Sequence, residues 1–391
     1  MKLKRSIASS RTLTPRVSAL HAALFAFPML FAAAPAAAVQ YSVTNLGTLG
    51  GTSSHAVGIN AAGQVVGQAN IPNEPGIRYT TAHAFLWQSG SMQDLGTLGG
   101  SDSVASESNV AGQVVGQAHT SGNAARHAFL WQSGSMQDLG TLGGTTSVAV
   151  GINDAGQVVG SADTSGNGTS AFLWQSGSMQ NLGTLGGTNS GASGINAAGQ
   201  VVGSAATSAN VNHAFLWQSG SMQDLGTLGG PTSAASDINA AGQVVGSADT
   251  SGSTCLRCPP TSHAFLWQSG IMQDLGTLGG TFSYATGIND AGQVVGNSAM
   301  PGTFNVNVYA FLWQSGSMID LNSLIDPLAG WTITTAADIN NSGQIVASGC
   351  HTTFGCNALL LTPVPEPETY VMMLAGLGLL AAKARRRNST Q

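Results

Sequence analysis

Tyr41-Ser42-Val43-Thr44-Asn45-Leu46, running on into Gly47-Thr48-Leu49-Gly50-Gly51, is the end of a repeat whose beginning is missing. Six later stretches share its form: Met-Gln-Asp-Leu or a near variant starts at Met92, Met136, Met179, Met222, Met272 and Met318, and the first five continue into Gly-Thr-Leu-Gly-Gly. Each closes a unit of about 45 residues, a period that marks a repeat architecture. Within the units, Ala-Phe-Leu-Trp-Gln-Ser-Gly starts at Ala84, Ala128, Ala171, Ala214, Ala264 and Ala310, with a worn seventh copy at Ala358-Leu359-Leu360-Leu361. Gly-Gln-Val-Val-Gly starts at Gly63, Gly112, Gly156, Gly199, Gly242 and Gly292 and returns altered at Gly343. The closing phrase missing after the seventh unit is the one that stands at the front of the array. A ring closed by its own N-terminal strand requires that displacement.

Each unit reads as four short strands. In the third they fall at 147–153, 157–162, 171–175 and 179–183, bounded by Gly, Asn and Ser. Asn153-Asp154-Ala155-Gly156 suits a type I turn followed by a left-handed residue, and the same Asn-x-x-Gly recurs in every unit. Gln-Ser-Gly-Ser offers a second tight hairpin, in which Gly supplies the positive φ. Ala-Phe-Leu-Trp is apolar on both faces of a strand, so both faces must be covered. A propeller blade, sandwiched between two neighbours, meets that demand. The expectation is an all-β, seven-bladed β-propeller of four-stranded blades over residues 39–362. An open β-solenoid of the same units is the alternative.

Only 29 of 391 residues carry a formal charge. Between residues 39 and 368, three Arg face 17 acidic residues, a net of −14. Nucleic acid is excluded as a partner, because phosphate contacts need clustered Lys and Arg. At the N-terminus, a basic segment precedes an apolar run over 19–38 that ends in Ala36-Ala37-Ala38. This is the pattern of a secretory signal over residues 1–38, recognised by Ala36 and Ala38 and cut by signal peptidase after Ala38. At the C-terminus, Pro365-Glu366-Pro367 precedes an apolar run over 370–382, then Lys383 and the Arg cluster 385–387. Thirteen residues at about 1.5 Å each give roughly 20 Å of helix, short of the roughly 30 Å hydrocarbon core. The expectation is a sorting helix that enters the inner membrane transiently.

Those last residues resemble the PEP-CTERM sorting signal of Gram-negative bacteria, over 363–391. The resemblance implies recognition by an exosortase, export, removal of the tail, and association with the cell surface or extracellular matrix. The repeat, with His-Ala-Phe-Leu-Trp at His83, His127, His213 and His263, resembles the HAF-repeat extracellular proteins. That resemblance implies a location and an architecture but no activity.

In a four-stranded blade, the loops from second to third strand share one face with the junctions between blades. The two tight turns lie on the other face. The turns are nearly invariant and the loops are not, so the loop face is where binding differences are expected. It collects all three Arg of the body, Arg78, Arg126 and Arg257, with Tyr79, Phe304, His351 and Phe354. Arg and aromatic side chains contact anionic groups and sugar faces. These seven are the ligand-binding candidates, with exopolysaccharide or another envelope glycan as the expected partner. The four Cys lie in the same loops, and in an oxidising compartment local pairs are expected: Cys255 with Cys258, and Cys350 with Cys356. The wide second spacing and the distance between the loops disfavour a four-Cys zinc site, so no metal and no cofactor is expected. The repeated His is expected to be structural. No residue set declares a reaction. Asp102 and Glu107 depart from the repeat in the second unit and stand as the catalytic candidates for a polysaccharide hydrolase or lyase. The sequence therefore points first to an exported, non-catalytic surface or matrix protein that binds glycan. That enzyme, or a purely structural matrix protein, is the alternative.

Overall fold

A computed structural model of the chain describes residues 40–72, 81–166, 168–251, 261–302 and 308–365. The chain divides into two compact units, Met1–Ala38 and Val39–Gln391, and everything described belongs to the second. It is a seven-bladed β-propeller. Seven four-stranded antiparallel sheets follow one another, and in six of them the strands pair in chain order. Blades 1 to 6 span residues 54–94, 99–138, 143–181, 186–224, 229–274 and 283–320. In blade 7 the inner three strands are Trp331–Ile339, Ile345–His351 and Gly355–Val364, and the outermost is Gln40–Asn45. That strand lies antiparallel to the third, with Tyr41 opposite Pro363, Val43 opposite Leu361 and Asn45 opposite Leu359. The front of the chain completes the last blade, so the ring is closed and the open solenoid is ruled out.

Blade 3 shows why the unit folds this way. Its strands are Gly143–Ile152, Val158–Thr164, Thr169–Gln175 and Ser178–Asn181. On the third strand, Ala171 and Phe172 are fully buried and Leu173 and Trp174 nearly so. Successive residues point to opposite faces, so alternate members enter different inter-blade layers. Phe172 and Trp174 pack with Val115, Ala128 and Leu130 of blade 2, while Ala171 and Leu173 pack with Val201, Phe215 and Trp217 of blade 4. Burying each such large side chain is worth about 1.5–3 kcal/mol. The repetition of this layer around the ring supplies the core.

Two features of the unit depend on backbone geometry. Every first strand carries a bulge: in blade 3, Ala149 pairs with Gly160 and Gly151 with Val159, leaving Val150 extra. The strands press together there, and a Cβ on Gly160 would sit 1.9 Å from the Val148 carbonyl oxygen. Blade 7 has Ala347 at that position, and its first strand carries a second irregularity between Ile333 and Thr335. The outer hairpin also differs from expectation. Both Ser176 (φ 51°) and Gly177 (φ 84°) are left-handed, the signature of a type I′ turn, and the pattern recurs in blades 1 to 6.

A buried Ser joins successive blades. Ser147 Oγ accepts the Ala128 N–H at 2.8 Å and donates to the Gly140 carbonyl at 2.5 Å, both in the preceding repeat. The same bridge is made by Ser54, Ser103, Ser190, Ser233 and Ser283. Between blades 6 and 7, two short 3-10 turns and the buried residues Leu321, Leu324, Ile325 and Ile333 fill that space instead.

Candidate functional site

Among the described residues, departures from the repeat gather in the central channel, on the loop face of blade 2 and on the loop face of blade 7.

The first strands line the channel in tiers. The bulged residues, among them Val57, Ser106, Val150 and Ser236, form one tier. The next residue in each blade forms a second: Gly58, Glu107, Gly151, Gly194, Asp237, Gly287 and Asp338. Four glycines and three acids therefore share one structural position. Glu107, Asp237 and Asp338 line a cavity of about 280 Å³ in this part of the channel. The surface they expose faces the channel. Asp338 accepts N–H bonds from Ile339 (2.7 Å) and from Ile59 of blade 1 (3.0 Å). Asp237 does the same with Ile238 (2.7 Å) and Ile288 of blade 6 (2.9 Å). Among the described residues, Glu107 accepts a single N–H bond, from Ser108 at 2.8 Å. Burial, and then the charge of Asp237, pushes the Asp338 carboxyl up to about 8. Burial also raises Glu107 well above the carboxylate range, helped by Asp338, and raises Asp237.

A third tier is a closed circle of amides. Asn60 Nδ2 donates to the Asn109 carbonyl at 2.9 Å, and Asn109, Asn153, Asn196, Asn239 and Asn289 each bond the next in turn. Asn340 returns to the Asn60 carbonyl at 3.1 Å. Each Asn Oδ1 also accepts two backbone N–H groups of its own turn, as Asn153 does from Ala155 and Gln157. The residue read from sequence as a turn-former is thus also the link between blades.

On blade 2, the structure brings Asp102, His119 and Arg126 together, but not Glu107. The two acids stand five residues apart on one strand, roughly 16 Å, beyond the roughly 5–9.5 Å of a glycosidase pair. Asp102 lies at the loop-face end, where its carboxylate accepts the Ala82 N–H (3.2 Å) and the Ser101 hydroxyl. Burial by itself would raise it, but those two hydrogen bonds, with His119 and Arg126 beside them, hold it below the ordinary range. His119 Nδ1 lies 3.5 Å from Asp102 and 3.4 Å from Ser101 Oγ, while its Nε2 accepts from Arg126 Nε at 2.7 Å. A nucleophilic triad needs the second ring nitrogen free to take the Ser proton. Here Arg126 occupies it.

On blade 7, His351 and Phe354 meet around Trp331, which the sequence reading did not single out. Trp331 and Phe354 stack with 6.2 Å between ring centres and 17° between planes, and His351 lies 5.1 Å from the first and 4.6 Å from the second. Phe354 is 58% exposed. Cys350 and Cys356 are joined by a disulfide at the base of this turn. The Trp331 signal was present in the sequence, since it begins a first strand where the other units have Gly or Ser. Arg78, Tyr79, Arg257, Phe304, Cys255 and Cys258 lie outside the described residues, as do Ala36, Ala38, Glu366 and Pro367. Pro365 is the last residue described and is exposed.

The repeated His has a definite partner. His83, His127, His213 and His263 bond Asp94, Asp138, Asp224 and Asp274 through Nδ1 at 2.7–2.8 Å. Where blade 3 has Ser170 in place of His, it also has Asn181 in place of Asp. Among the described residues, no group of three His, Cys, Asp or Glu is placed to hold a metal ion, and no helix is long and apolar enough to cross a membrane. The apolar run 370–382 lies outside them.

No curated protein matches the chain significantly. Among solved structures, TolB from Acinetobacter baumannii is similar at 12% identity, over 78% of this chain and 82% of that one, with a TM-score of 0.40. The β-propeller domain of the Trilobed protease from Pyrococcus furiosus, described as having an open velcro topology, is similar at 7% identity over 79% and 93%, TM-score 0.49. The Pyrococcus horikoshii acylaminoacyl peptidase is similar at 10% identity over 83% and 54%, TM-score 0.48. At such levels no activity passes from them to this chain. The resemblance of the repeats to HAF-repeat proteins finds no support in these matches. Residues 363–387 match the PEP-CTERM protein-sorting motif, which implies an exported protein sorted by an exosortase.

Proposed function

We propose that the propeller is a non-catalytic surface module that holds an envelope glycan on its loop face. The observation that carries this reading is the aromatic group of blade 7. Trp331, His351 and Phe354 stand together at the loop face, and the Cys350–Cys356 bridge fixes the turn that carries two of them. A pyranose ring has one largely C–H face, and an exposed aromatic ring removes that face from water. A preformed turn adds little ordering cost on binding. Arg126 belongs to the same face and extends the proposed contact to anionic sugars. Sorting of the exported chain by an exosortase at the envelope supplies the setting.

The test is binding of purified residues 39–364 to the exopolysaccharide of the producing organism, with released sugar assayed in the same tube. Saturable binding without release is expected. Phe354→Ala and Trp331→Ala are expected to weaken it about tenfold or more, as hot-spot aromatics do. Binding unchanged in both variants removes blade 7 as the site. Released sugar overturns the non-catalytic reading. Neither binding nor release leaves a structural matrix protein.

A further inference from the structure

The channel acids are not used by the proposed loop-face function, and their arrangement has a consequence for the ring itself. We propose that the tier formed by Glu107, Asp237 and Asp338 is a proton-dependent lock, which holds the blades together while its carboxyls keep protons and loosens the ring when all three lose them.

The geometry gives three supports. First, the acids belong to blades 2, 5 and 7, so their mutual repulsion acts between blades and across the channel. Second, each fills space beside a glycine of the preceding blade. A Cβ on Gly58 would lie 3.1 Å from Glu107 Oε2, one on Gly194 3.3 Å from Asp237 Oδ1, and one on Gly287 2.7 Å from Asp338 Oδ1. The carboxyls are therefore wedged at blade seams. Third, no positive charge described in the channel balances them, and the backbone N–H bonds that favour their charged forms are outweighed by burial. The lining there and toward the turn face contains no Lys, Arg or His, and its other charged residues are Asp154 and Asp290. Asp290 adds to the repulsion felt by Asp237. Of the remaining titratable groups on the first strands, Asp102, His55 and Tyr284 lie toward the loop-face ends, where His55 bonds Ser348 across the blade 7 seam. The three acids are half-buried, and like charges partly withdrawn from water repel more strongly than in water.

The direction with pH follows from linkage. All three acids are raised in the folded state, Asp338 to about 8 from 3.8. The folded protein thus binds more protons than the unfolded chain between those values, and stability falls as pH rises through that window. His55 acts in the opposite sense. Burial lowers it, so it opposes folding only as pH falls through and below the ordinary His range. Tyr41, raised to about 12, titrates above the window.

Thermal unfolding of the full chain, followed by circular dichroism from pH 5 to pH 9, tests the lock. The expected result is a Tm that falls by about 5 °C or more across that range. In the Glu107→Gln/Asp237→Asn/Asp338→Asn variant the fall is expected to vanish. A flat wild-type profile, or the same fall in the triple variant, overturns the proposal. Should the triple variant fail to fold, Asp338→Asn alone is expected to melt higher than wild type at pH 9 and with a shallower slope. Carboxyl NMR titration of the native chain is the independent reading. Three acids titrating in the ordinary carboxylate range would overturn the proposal outright.

Discussion

Four blades place glycine at the channel tier and three place an acid, and this choice has a steric cost that can be read at one residue. A methyl group on Gly287 meets Asp338 Oδ1 at 2.7 Å and Asp338 Cα at 3.1 Å. The oxygen has little freedom to move, because Ile339 N–H and Ile59 N–H hold the carboxyl from both sides. The atoms nearest a methyl group on Gly151 are Val159 Cγ2 at 3.1 Å and Ile195 Cγ2 and N at 3.5 Å, with no carboxylate among them, since blade 4 contributes Gly194 at this tier. Gly287→Ala is therefore expected to destabilise by about 1–3 kcal/mol, the range of overpacking in a tight site. Gly151→Ala is expected to cost less than about 1 kcal/mol on the same scale. Equilibrium denaturation of the two variants checks the order. Equal losses would show that the acid does not set the packing at this tier. Adding Asp338→Gly to Gly287→Ala is expected to recover most of the loss, because the pair is in contact and cannot behave additively.

At the scale of the element, the outer hairpin holds a Ser where the backbone favours another residue. Type I′ turns need positive φ at both central positions, and Asn-Gly satisfies this better than Ser-Gly. Ser89, Ser133, Ser176, Ser219, Ser269 and Ser315 all sit near φ 50°. Replacing Ser176 by Asn is expected to stabilise blade 3 by about 0.5 kcal/mol, and Gly177→Ala to cost about 1 kcal/mol. Denaturant midpoints read both, and a loss from Ser176→Asn would mean that the hydroxyl matters more than the backbone. The strands themselves were legible because each is written six or seven times. Repetition separates signal from chance, and a strand apolar on both faces admits few architectures. The bulges were not legible, because an extra residue is defined by its partner strand and leaves no composition mark. The channel acids were half legible. Glu107 stood out against the repeat, yet Asp237 and Asp338 occupy the same place two residues before Asn239 and Asn340. Aligning all units on that Asn brings the three together, whereas reading one unit at a time leaves Glu107 beside Asp102. Trp331 escaped because the seventh unit has drifted most: its departure from the Gly or Ser of the other units shows only when all units are aligned on the same Asn.

At the scale of the whole molecule, the ring has two closures at one seam. One is the amide circle, completed by the Asn340 bond to Asn60. The other is the strand Gln40–Asn45, which covers the edge of the third strand of blade 7. That edge carries Leu359, Leu360 and Leu361. The strand also brings in Tyr41 and, just beyond it, Leu46, 4% and 5% exposed, with Tyr41 bridging Ile325 of the preceding junction. An unpaired apolar edge is a template for a second chain. A chain starting after Leu46 is therefore expected to keep most of its β signal in circular dichroism, but to elute as dimers and larger species at micromolar concentration. A peptide of residues 40–46 supplied in trans is expected to return it to the monomer fraction, because it restores the same ladder of backbone bonds. The first two residues of the sorting motif, Pro363 and Val364, pair with Tyr41 and Gln40. The truncation should therefore also free the start of that motif, and protease sensitivity after residue 362 is expected to rise in the truncated chain and fall again with the peptide. A truncated chain that stays monomeric and resists protease there would mean that the amide circle and the inter-blade layers hold the ring without the borrowed strand.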